Sequence, residues 1–571
     1  MPTGPSTVRR LSDNTRALLL NLAYAAVAAG ASVAFLTLTN LAFRVGIQRL
    51  ADLSFPAFAL SSLLVILVTS LLSGILMARV APAAAGSGVP QMKAAYWKDL
   101  GFVQLRSVLV KFVAGILTLG GGTSLGREGP SVFVGGGVAS SLAAVLRVPR
   151  SRRRQPVATG ASSALAAAFN TPLASITFVL EELLNNQFGS GVLGGVVLAA
   201  VVGALVVHSL LGRQPAFSLP AVSMATWRMY LLAPFVAAAA ALVGRVFQGL
   251  TLGLRRRVKR SSPIPPWLRP VVGALGTWIL GIGAFALTGH IGVFGLGYGD
   301  LSLALNDRLL WQAAGILVAA KLLATVLSYG WGGCGGIFSP TLFLGGLTGL
   351  FLAGLAGTWI DLSAGDRVVL AAVGMASCFG AVVRAPLTAL LIVFEMTHEF
   401  AMVPALMIAA VVSQAVARLG GGHNFYEELL LQDGHHLIEV KPPRDLESWQ
   451  RLPISAIHRG EPVILESLAP EDLRAALEAY PYGRFPVRVG GRIAGVLTRR
   501  EAQSAAATGG VPRLVEPAMA SPETTVREVA DLLVSSGAGM VLIAPEADPT
   551  RSIAGIVTLH DLLRVQVSLT E

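Results

Sequence analysis

The stretch GGGTSLGREGPSVFVGG, residues 120–136, decides how this chain folds. It lies in a strongly apolar half of the sequence, yet it carries Arg127 and Glu128. A lipid-facing segment would tolerate neither, since a charge at the centre of a bilayer costs about 2.5–3.5 kcal/mol. Glycines flank the pair, and Pro130 opens an apolar run, as prolines do in the first turn of a helix. We therefore expect an irregular loop over Gly126–Gly129 that leads into a helix N-terminus.

Such a loop can bind an anion, because the first N–H groups of a helix lack partners within it and the helix dipole favours negative charge there. Glu128 is then an acid placed where an anion would bind. The simplest interpretation is that its carboxylate competes with a transported anion for one site. The alternative is a surface loop that contains a salt bridge between Arg127 and Glu128.

Composition indicates a multi-pass membrane protein. The 571 residues are 53% hydrophobic and only 13% charged, whereas soluble domains carry about 25% charged residues. The only cysteines, Cys334 and Cys378, exclude a disulfide framework and a cysteine-based metal site. Much of the net charge of +12 lies in the runs 147–154 and 255–260, which separate apolar segments and are typical of cytoplasmic loops. The expected partner is therefore the lipid bilayer and not nucleic acid, and no set of catalytic residues indicates an enzyme.

We expect a cytoplasmic N-terminal segment at 1–16 and a transmembrane domain at 17–434. We expect helices in two halves, 17–212 and 228–430, at about 17–47, 57–80, 105–119, 130–147, 157–184, 190–212, 228–253, 268–290, 310–329, 338–360, 366–396 and 401–419. Several are shorter than the roughly 20 residues of an upright span. Short segments beside glycine and proline indicate broken helices that line a cavity.

The two halves repeat each other. PSVFVGG at 130–136 matches PTLFLGG at 340–346, and the segment 160–181 matches 374–395, at offsets of 210 and 214 residues. Repeated halves with broken helices at equivalent positions indicate a substrate site near the middle of the bilayer. Glu181 and Glu395 fall at equivalent positions, and we expect them to serve packing or the polarity of helix ends.

Two further glycine-rich breaks are similar to the first. GSGVP at 86–90 and GGIFSP at 335–340 also offer backbone N–H groups ahead of an apolar helix. Three such helix starts can converge on one anion and hold it without a full counter-charge. Weak binding of this kind suits conduction, because a tightly bound ion would not leave.

With GSGVP, GREGP at 126–130, GGIFSP and the pair Phe425–Tyr426 in this order, the sequence resembles the CLC chloride channels and proton-coupled transporters over about residues 15–434. The resemblance implies an all-α membrane protein with inverted-repeat architecture, which forms a homodimer with one pore in each subunit. Arg9, Arg10 and Arg16 indicate a cytoplasmic N-terminus. We also expect a cytoplasmic C-terminus and a plasma membrane of bacterial type.

The resemblance also assigns site residues. The chloride-binding positions that it implies are Ser87, Gly126, Arg127, Gly129, Gly336, Ile337, Phe338 and Tyr426. Hydroxyls would come from Ser87 and Tyr426, although these could instead be a helix cap and an interfacial tyrosine. Glu128 would be the gating glutamate and external proton carrier, and Glu182 the internal proton glutamate. Serine at position 87 implies chloride over nitrate.

Three other positions carry weaker expectations. Lys111 lies within an apolar run and is expected to be paired or to snorkel to the membrane surface. Gln91 stands where the family commonly has an acid, and Ser339 where it commonly has alanine. We expect neither of them to touch a ligand side chain.

Residues 450–571, after a linker at 435–449, are predicted to form a soluble α/β module. IAGVLTRRE at 493–501 recurs as IAGIVTLHD at 553–561, and the pattern resembles a tandem CBS pair. That resemblance implies an adenine nucleotide contacted by Thr558 and Asp561. The alternative is a purely structural dimer module, since fold does not imply function.

The resemblance implies a chloride/proton antiporter that needs neither a metal nor a cofactor. The alternative is a passive chloride channel on the same fold, gated by voltage or pH. Glu182 discriminates between the two because family channels commonly carry an apolar residue there. A membrane-tethered nucleotide sensor is a third possibility, but it leaves the duplicated loops and Glu128 unexplained.

Overall fold

A computed structural model of the chain describes residues 13–149, 152–186, 188, 190–212, 217, 226–419, 421–435, 452–457, 462–545 and 553–568. The chain divides into two compact units, Met1–Pro442 and Pro443–Glu571. This boundary falls within the predicted linker 435–449. Most of that linker, and most of the predicted N-terminal segment 1–16, lie outside the described residues.

The first unit is built from α-helices. They are Asp13–Phe43 (α1), Phe55–Val80 (α2), Val89–Trp97 (α3), Leu105–Gly120 (α4), Glu128–Val145 (α5), Arg154–Phe169 (α6), Pro172–Phe178 (α7), Ser190–Leu211 (α8), Trp227–Ser261 (α9), Arg269–Thr288 (α10), Tyr298–Leu305 (α11), Trp311–Gly330 (α12), Phe338–Ala356 (α13), Ala364–Val383 (α14), Pro386–Thr397 (α15), Val403–Leu419 (α16) and Phe425–Gln432 (α17). Nine of the described helices are long and apolar enough to cross a membrane.

Two predicted segments, 157–184 and 366–396, are wrong as single helices. Each consists of two helices, with a break at Asn170 in the first half and at Arg384 in the second. Both break residues have a left-handed backbone, with φ of 59°. The next helices begin at Pro172 and Pro386, because proline cannot continue a helix but fits its first turn. The breaks are therefore equivalent in the two halves.

The repeat occupies the middle of the first unit. Helices α13 and α14 bury 83% and 94% of their most apolar stretches, and the described residues 156–169 of α6 are all buried. A helix that is apolar and buried on all sides lies inside the protein and not against lipid. The glycine-rich loops that precede α5 and α13 are buried as well, so they lie inside the protein.

The second unit contains two small sheets. Strands Arg484–Val489 (β1) and Arg492–Thr498 (β2) form an antiparallel hairpin; Met540–Ile543 (β4) pairs in parallel with Ala518–Ala520 (β3) and antiparallel with Gly555–Thr558 (β5). The helices are Pro470–Ala479 (α18), Arg499–Thr508 (α19), Val526–Ser535 (α20) and Leu559–Ser568 (α21). Both recurring stretches, 493–501 and 553–561, thus fold as a strand that runs directly into a helix.

Candidate functional site

Two of the glycine-rich loops pair with each other. The Gly126 N–H donates to the Gly336 carbonyl at 2.7 Å, and the Gly336 N–H donates to the Gly126 carbonyl at 2.6 Å. These glycines are 210 residues apart and equivalent in the repeat. The pairing places the N-termini of α5 and α13 side by side, so both helix starts can serve one anion site.

The carboxylate of Glu128 lies at this junction and is fully buried. Its Oε1 accepts hydrogen bonds from the Tyr298 hydroxyl at 2.9 Å and from the Ser339 hydroxyl, and its Oε2 accepts the Ser339 N–H at 3.4 Å. Ser339 therefore contacts the expected gating glutamate, which the sequence did not indicate. The reason is the loop pairing, which sets the first turn of α13 against the first turn of α5.

Space around the carboxylate is tight. A Cβ atom on Gly126 would lie 2.6 Å from Glu128 Oε2, so a side chain at position 126 would displace the carboxylate. The glycine before the Arg-Glu pair therefore leaves room for the Glu128 side chain in this position.

The side chain of Arg127 does not face the anion site. Its guanidinium donates to Asn40 Oδ1 at 3.1 Å and to the Ala168 carbonyl at 3.3 Å, and it lies over the Tyr298 ring at 5.3 Å from the centroid. Any contribution of Arg127 to anion binding would come from its backbone. The burial of Arg127 and Glu128 also excludes the alternative of a surface loop.

Sequence reasoning missed Tyr298, the first residue of α11. It follows Gly297, and the segment Gly295–Gly297 corresponds to Gly86–Gly88 at an offset of 209 residues. In both segments the two glycines have a positive φ, which other residues rarely adopt. A search for a fourth glycine-rich break in the repeat would have found this loop.

The hydroxyls of Ser87 and Tyr426 are buried and have no hydrogen-bond partner within the described ranges. The two side chains are neighbours. A Cβ atom on Gly129 would collide with Ser87, so the first turn of α5 packs directly against the Ser87 loop. Unpaired buried donors are costly unless something absent from the structure accepts their hydrogens. The two hydroxyls are therefore suited to bind an anion.

Apolar residues form the rest of this region. Ile337 and Phe338 are fully buried, and Phe338 begins α13, where N–H groups have no partner within the helix. The Phe338 ring packs against Phe178 and Phe379, with centroids 5.0 and 4.7 Å away. This packing fixes the helix start and excludes water from it.

Glu182 is buried in a π-helical turn, Val179–Leu183. Lys93 Nζ contacts its Oε1 at 2.9 Å, and Asn424 Nδ2 donates to its Oε2 at 2.8 Å. Lys93 lies on α3, which follows the Ser87 loop, and Asn424 caps α17, which carries Tyr426. Glu182 therefore connects the two elements that supply the free hydroxyls. No local signal indicates these partners, which are 89 and 242 residues away in sequence.

Two pairs of equivalent residues hold the framework together. Glu181 accepts the N–H groups of Leu387 and Thr388 at the start of α15, and Glu395 accepts those of Leu173 and Ala174 at the start of α7. The expected role of both glutamates at helix ends is confirmed, and it is reciprocal between the halves. Such contacts satisfy N–H groups that a helix leaves unpaired.

The lysines Lys111 and Lys321 are also equivalent, 210 residues apart, and both are fully buried. Lys111 Nζ donates to the carbonyls of Ala84 and Gly86 at 2.8 and 2.6 Å, so it is paired and does not snorkel. Lys321 Nζ donates to the carbonyls of Gly292 and Gly295 at 3.0 and 2.6 Å. Each lysine therefore holds the loop ahead of a short helix, α3 or α11.

The second unit contains a cavity of about 500 Å³ lined by residues that include Tyr482, Arg484, Met540, Ile556, Thr558 and His560. Thr558 borders it. Asp561 instead accepts hydrogen bonds from the Thr558 N–H at 3.0 Å and hydroxyl at 2.6 Å. Asp561 thus orients Thr558, and nucleotide contact by either residue stays a prediction.

Known proteins match both units. The family model described as "Voltage gated chloride channel" matches residues 69–418, and a CBS domain model matches 514–568. The H(+)/Cl(-) exchange transporter ClcA of Vibrio cholerae is 31% identical over 393 residues, which are 66% of this chain and 80% of that protein.

Solved structures match as well. The crystal structure of a slow cyanobacterial Cl-/H+ antiporter is 25% identical with a TM-score of 0.66, and the match covers 75% of this chain and 99% of that one. The crystal structure of a eukaryotic CLC transporter is 21% identical with a TM-score of 0.60, and the match covers 96% of this chain and 98% of that one. At this identity the likeness shows the fold alone.

Proposed function

This chain belongs to the voltage gated chloride channel family, and we propose that it exchanges chloride for protons across the membrane. The observation that carries the proposal is the buried carboxylate of Glu128 at the paired starts of α5 and α13. A carboxylate there occupies the place of an anion. The names of relatives such as the Vibrio cholerae transporter support exchange over passive conduction.

Chloride and proton movement would be coupled because one group, the Glu128 carboxylate, both blocks the anion path and binds the proton. While ionised, Glu128 fills the anion path and excludes chloride from its own position. When it takes up a proton it loses its charge, the helix N-termini attract it less, and chloride can replace it. The Glu128 side chain would thus act as both gate and external proton carrier. Chloride would be bound by the Ser87 and Tyr426 hydroxyls and by backbone N–H groups near Gly336–Phe338.

The internal proton step is assigned to Glu182. Its contacts with Lys93 and Asn424 connect it to α3, which follows the Ser87 loop, and to the start of α17, which carries Tyr426. A proton that reaches Glu182 from the cytoplasm would break the ion pair and pass toward the chloride site. If the pair is only structural, the protein is a passive channel, since a channel needs an anion path and no second path for protons.

Purified protein in liposomes decides between exchange and passive conduction. With a chloride gradient and no pH gradient, we expect chloride to drive uphill proton movement. We expect Glu182→Gln to abolish proton movement while chloride flux remains. Chloride flux without proton movement in the unmutated protein would establish a channel.

Two matched variants distinguish a loss of the proton step from misfolding. Glu182→Gln leaves Lys93 buried without its partner, which costs about 3–5 kcal/mol. The double variant Lys93→Met/Glu182→Gln removes both charges and should also lack proton coupling. The adjacent glutamate supplies the second control: Glu181→Gln weakens the cap of α15 and should retain coupling.

We further propose that an adenine nucleotide binds the cavity of the second unit. A cavity of about 500 Å³ lies within the usual range of small-molecule sites, about 300–1,000 Å³. Arg484 offers a charge for phosphate and His560 a polar ring. Tyr482 offers an aromatic face, and Thr558 a polar contact for ribose. ATP, ADP or AMP at about 100 times its Kd should stabilise the full chain by about 2.7 kcal/mol. Arg484→Ala should abolish the shift, and no shift with any of the three would leave a structural module.

The remaining proposals concern assembly. We propose a homodimer in a plasma membrane of bacterial type, with both termini cytoplasmic. The basic run 255–260 at the end of α9 supports this orientation by the positive-inside rule. Cysteine accessibility after Arg257→Cys, in a Cys334→Ser/Cys378→Ser background, would test it: labelling from outside intact cells would contradict the orientation.

A further inference from the structure

Two hydroxyl groups meet one oxygen of the Glu128 carboxylate. The Tyr298 hydroxyl lies 2.9 Å from Glu128 Oε1, the Ser339 hydroxyl contacts the same oxygen, and the two hydroxyls are 2.8 Å apart. All three side chains come from different helices, α5, α11 and α13. Their meeting is therefore a product of the assembled fold.

The hydrogens favour an ionised carboxylate in this position. Each hydroxyl has one hydrogen to donate, and a carboxylate accepts several hydrogen bonds at once. With Glu128 ionised, both hydroxyls can donate to Oε1, and bonds to a charged acceptor are about twice as strong as neutral ones. Protonation replaces this pair of charge-assisted bonds with neutral ones, so it weakens the hold on the side chain.

The tyrosine is held in place. Its ring lies between the Arg127 guanidinium, 5.3 Å from the centroid, and the Phe217 ring, whose centroid is 5.5 Å away at an interplanar angle of 81°. Gly297, with φ of 82°, fixes the start of α11. Such contacts pre-organise the hydroxyl, so little entropy is lost when it binds the carboxylate.

A cavity borders this tyrosine. Its volume is about 340 Å³, and its lining includes Thr39, Asn40, Arg127, Tyr298 and Asp300. Tyr298 therefore contacts the Glu128 carboxylate and also lines this cavity.

From these contacts we propose that Tyr298 and Ser339 form a hydroxyl latch, which holds the Glu128 carboxylate in the anion path and sets the proton concentration at which it leaves. The latch rests on the proposed function only in taking Glu128 as the gate. Tyr298 and Ser339 are positioning residues, because they act on chloride through Glu128.

Other charged and titratable groups surround the latch on the neighbouring elements. They are Arg127 on the α5 loop, Lys111 on α4, Tyr426 on α17, Lys321 on α12, Asp300 on α11 and His290 before it. Several already have partners. Asp300 accepts the Gly292 N–H at 2.7 Å and contacts His290 at 3.2 Å, and the two lysines bind loop carbonyls. The two hydroxyls are the side-chain donors that the described residues place directly on Glu128.

The test measures chloride flux into liposomes against pH for Tyr298→Phe and Ser339→Ala. Each variant removes one hydrogen bond to the ionised gate, so the pH of half-maximal flux should rise by about one unit. Ser141→Ala is the matched control, because its hydroxyl donates to the Gly137 carbonyl within α5. Its pH profile should equal that of the unmutated protein.

A second background separates a latch from a general structural effect. In Glu128→Gln the gate cannot ionise, so adding Tyr298→Phe or Ser339→Ala should produce no pH shift. An unchanged profile in both single variants, or the same shift in the Glu128→Gln background, would overturn the latch. If Tyr298→Phe does not fold, Ser339→Ala decides alone. If the unmutated protein moves no protons, the proposed exchange is rejected. The latch is then still tested by the pH shift of chloride flux in the two variants.

Discussion

The loop Gly126–Pro130 and its repeat equivalent Gly336–Pro340 share a backbone but not a chemistry. Both lead into a central helix, and they pair with each other through Gly126 and Gly336. Where the first loop carries Glu128, the second carries Phe338, and where the first has Gly129, the second has Ser339. The first loop supplies a charge that can be neutralised, and the second supplies a fixed apolar wall and a hydroxyl.

The framework around these loops has remained symmetric. Lys111 and Lys321 bind equivalent loops, and each lies over an equivalent ring, Phe133 at 5.5 Å and Phe343 at 5.2 Å from the centroid. The glutamates Glu181 and Glu395 cap each other's half. The two halves therefore keep these framework contacts in common and differ at the positions of Glu128 and Ser339. Residues that hold the backbone are preserved because the loops must keep the same shape.

Removing the charge that distinguishes the loops should have the largest effect. We expect Glu128→Ala to keep chloride flux, to lose its response to pH and to lose proton movement entirely, since gate and proton carrier disappear together. Glu181→Gln, which changes a glutamate that caps α15 outside these loops, is the control and should retain proton coupling. Both are measured by flux in liposomes. A Glu128→Ala protein that still moved protons uphill would contradict the role of Glu128 as the proton carrier.

The symmetric lysines sharpen the comparison. Lys111→Met and Lys321→Met should each lower the free energy of unfolding by about 2–5 kcal/mol, because buried carbonyls lose their donor. Only Lys111→Met should also weaken chloride binding, since its carbonyls belong to the Ser87 loop. Thermal unfolding and chloride calorimetry measure the two effects. Equal losses of chloride affinity in both variants would contradict the division of tasks between the halves.

The smallest expected effect concerns the free hydroxyls. Ser87→Ala and Tyr426→Phe should each weaken chloride binding about 10- to 100-fold, as expected for a hydrogen bond to a charged group. Leu296 is the equivalent of Ser87 in the second half, and Leu296→Ala should leave the affinity unchanged. Calorimetry on purified protein measures all three. If both hydroxyl variants bind chloride as tightly as the unmutated protein, Ser87 and Tyr426 are not chloride ligands.

Much of the framework could be predicted from the sequence. Glycine and proline fix local backbone geometry, so the breaks at 86–90, 126–130 and 335–340 indicated where helices α3, α5 and α13 begin. The repeat offset predicted equivalent roles for Glu181 and Glu395. The hydrophobic pattern did not predict the helix breaks at Asn170 and Arg384. The apolar segments continue through both breaks, and only the following proline marks each one.

The sequence by itself determined the helix starts, the duplication and the place of Glu128, because each depends on residues close together in the chain. Tertiary structure alone decided which side chains surround the two glutamates. Tyr298 and Ser339 reach Glu128 from 170 and 211 residues away, and Lys93 reaches Glu182 from 89. Contacts over such separations depend on how the packed helices are placed, and hydrophobic periodicity reports which face of a helix is buried but not which partner it meets.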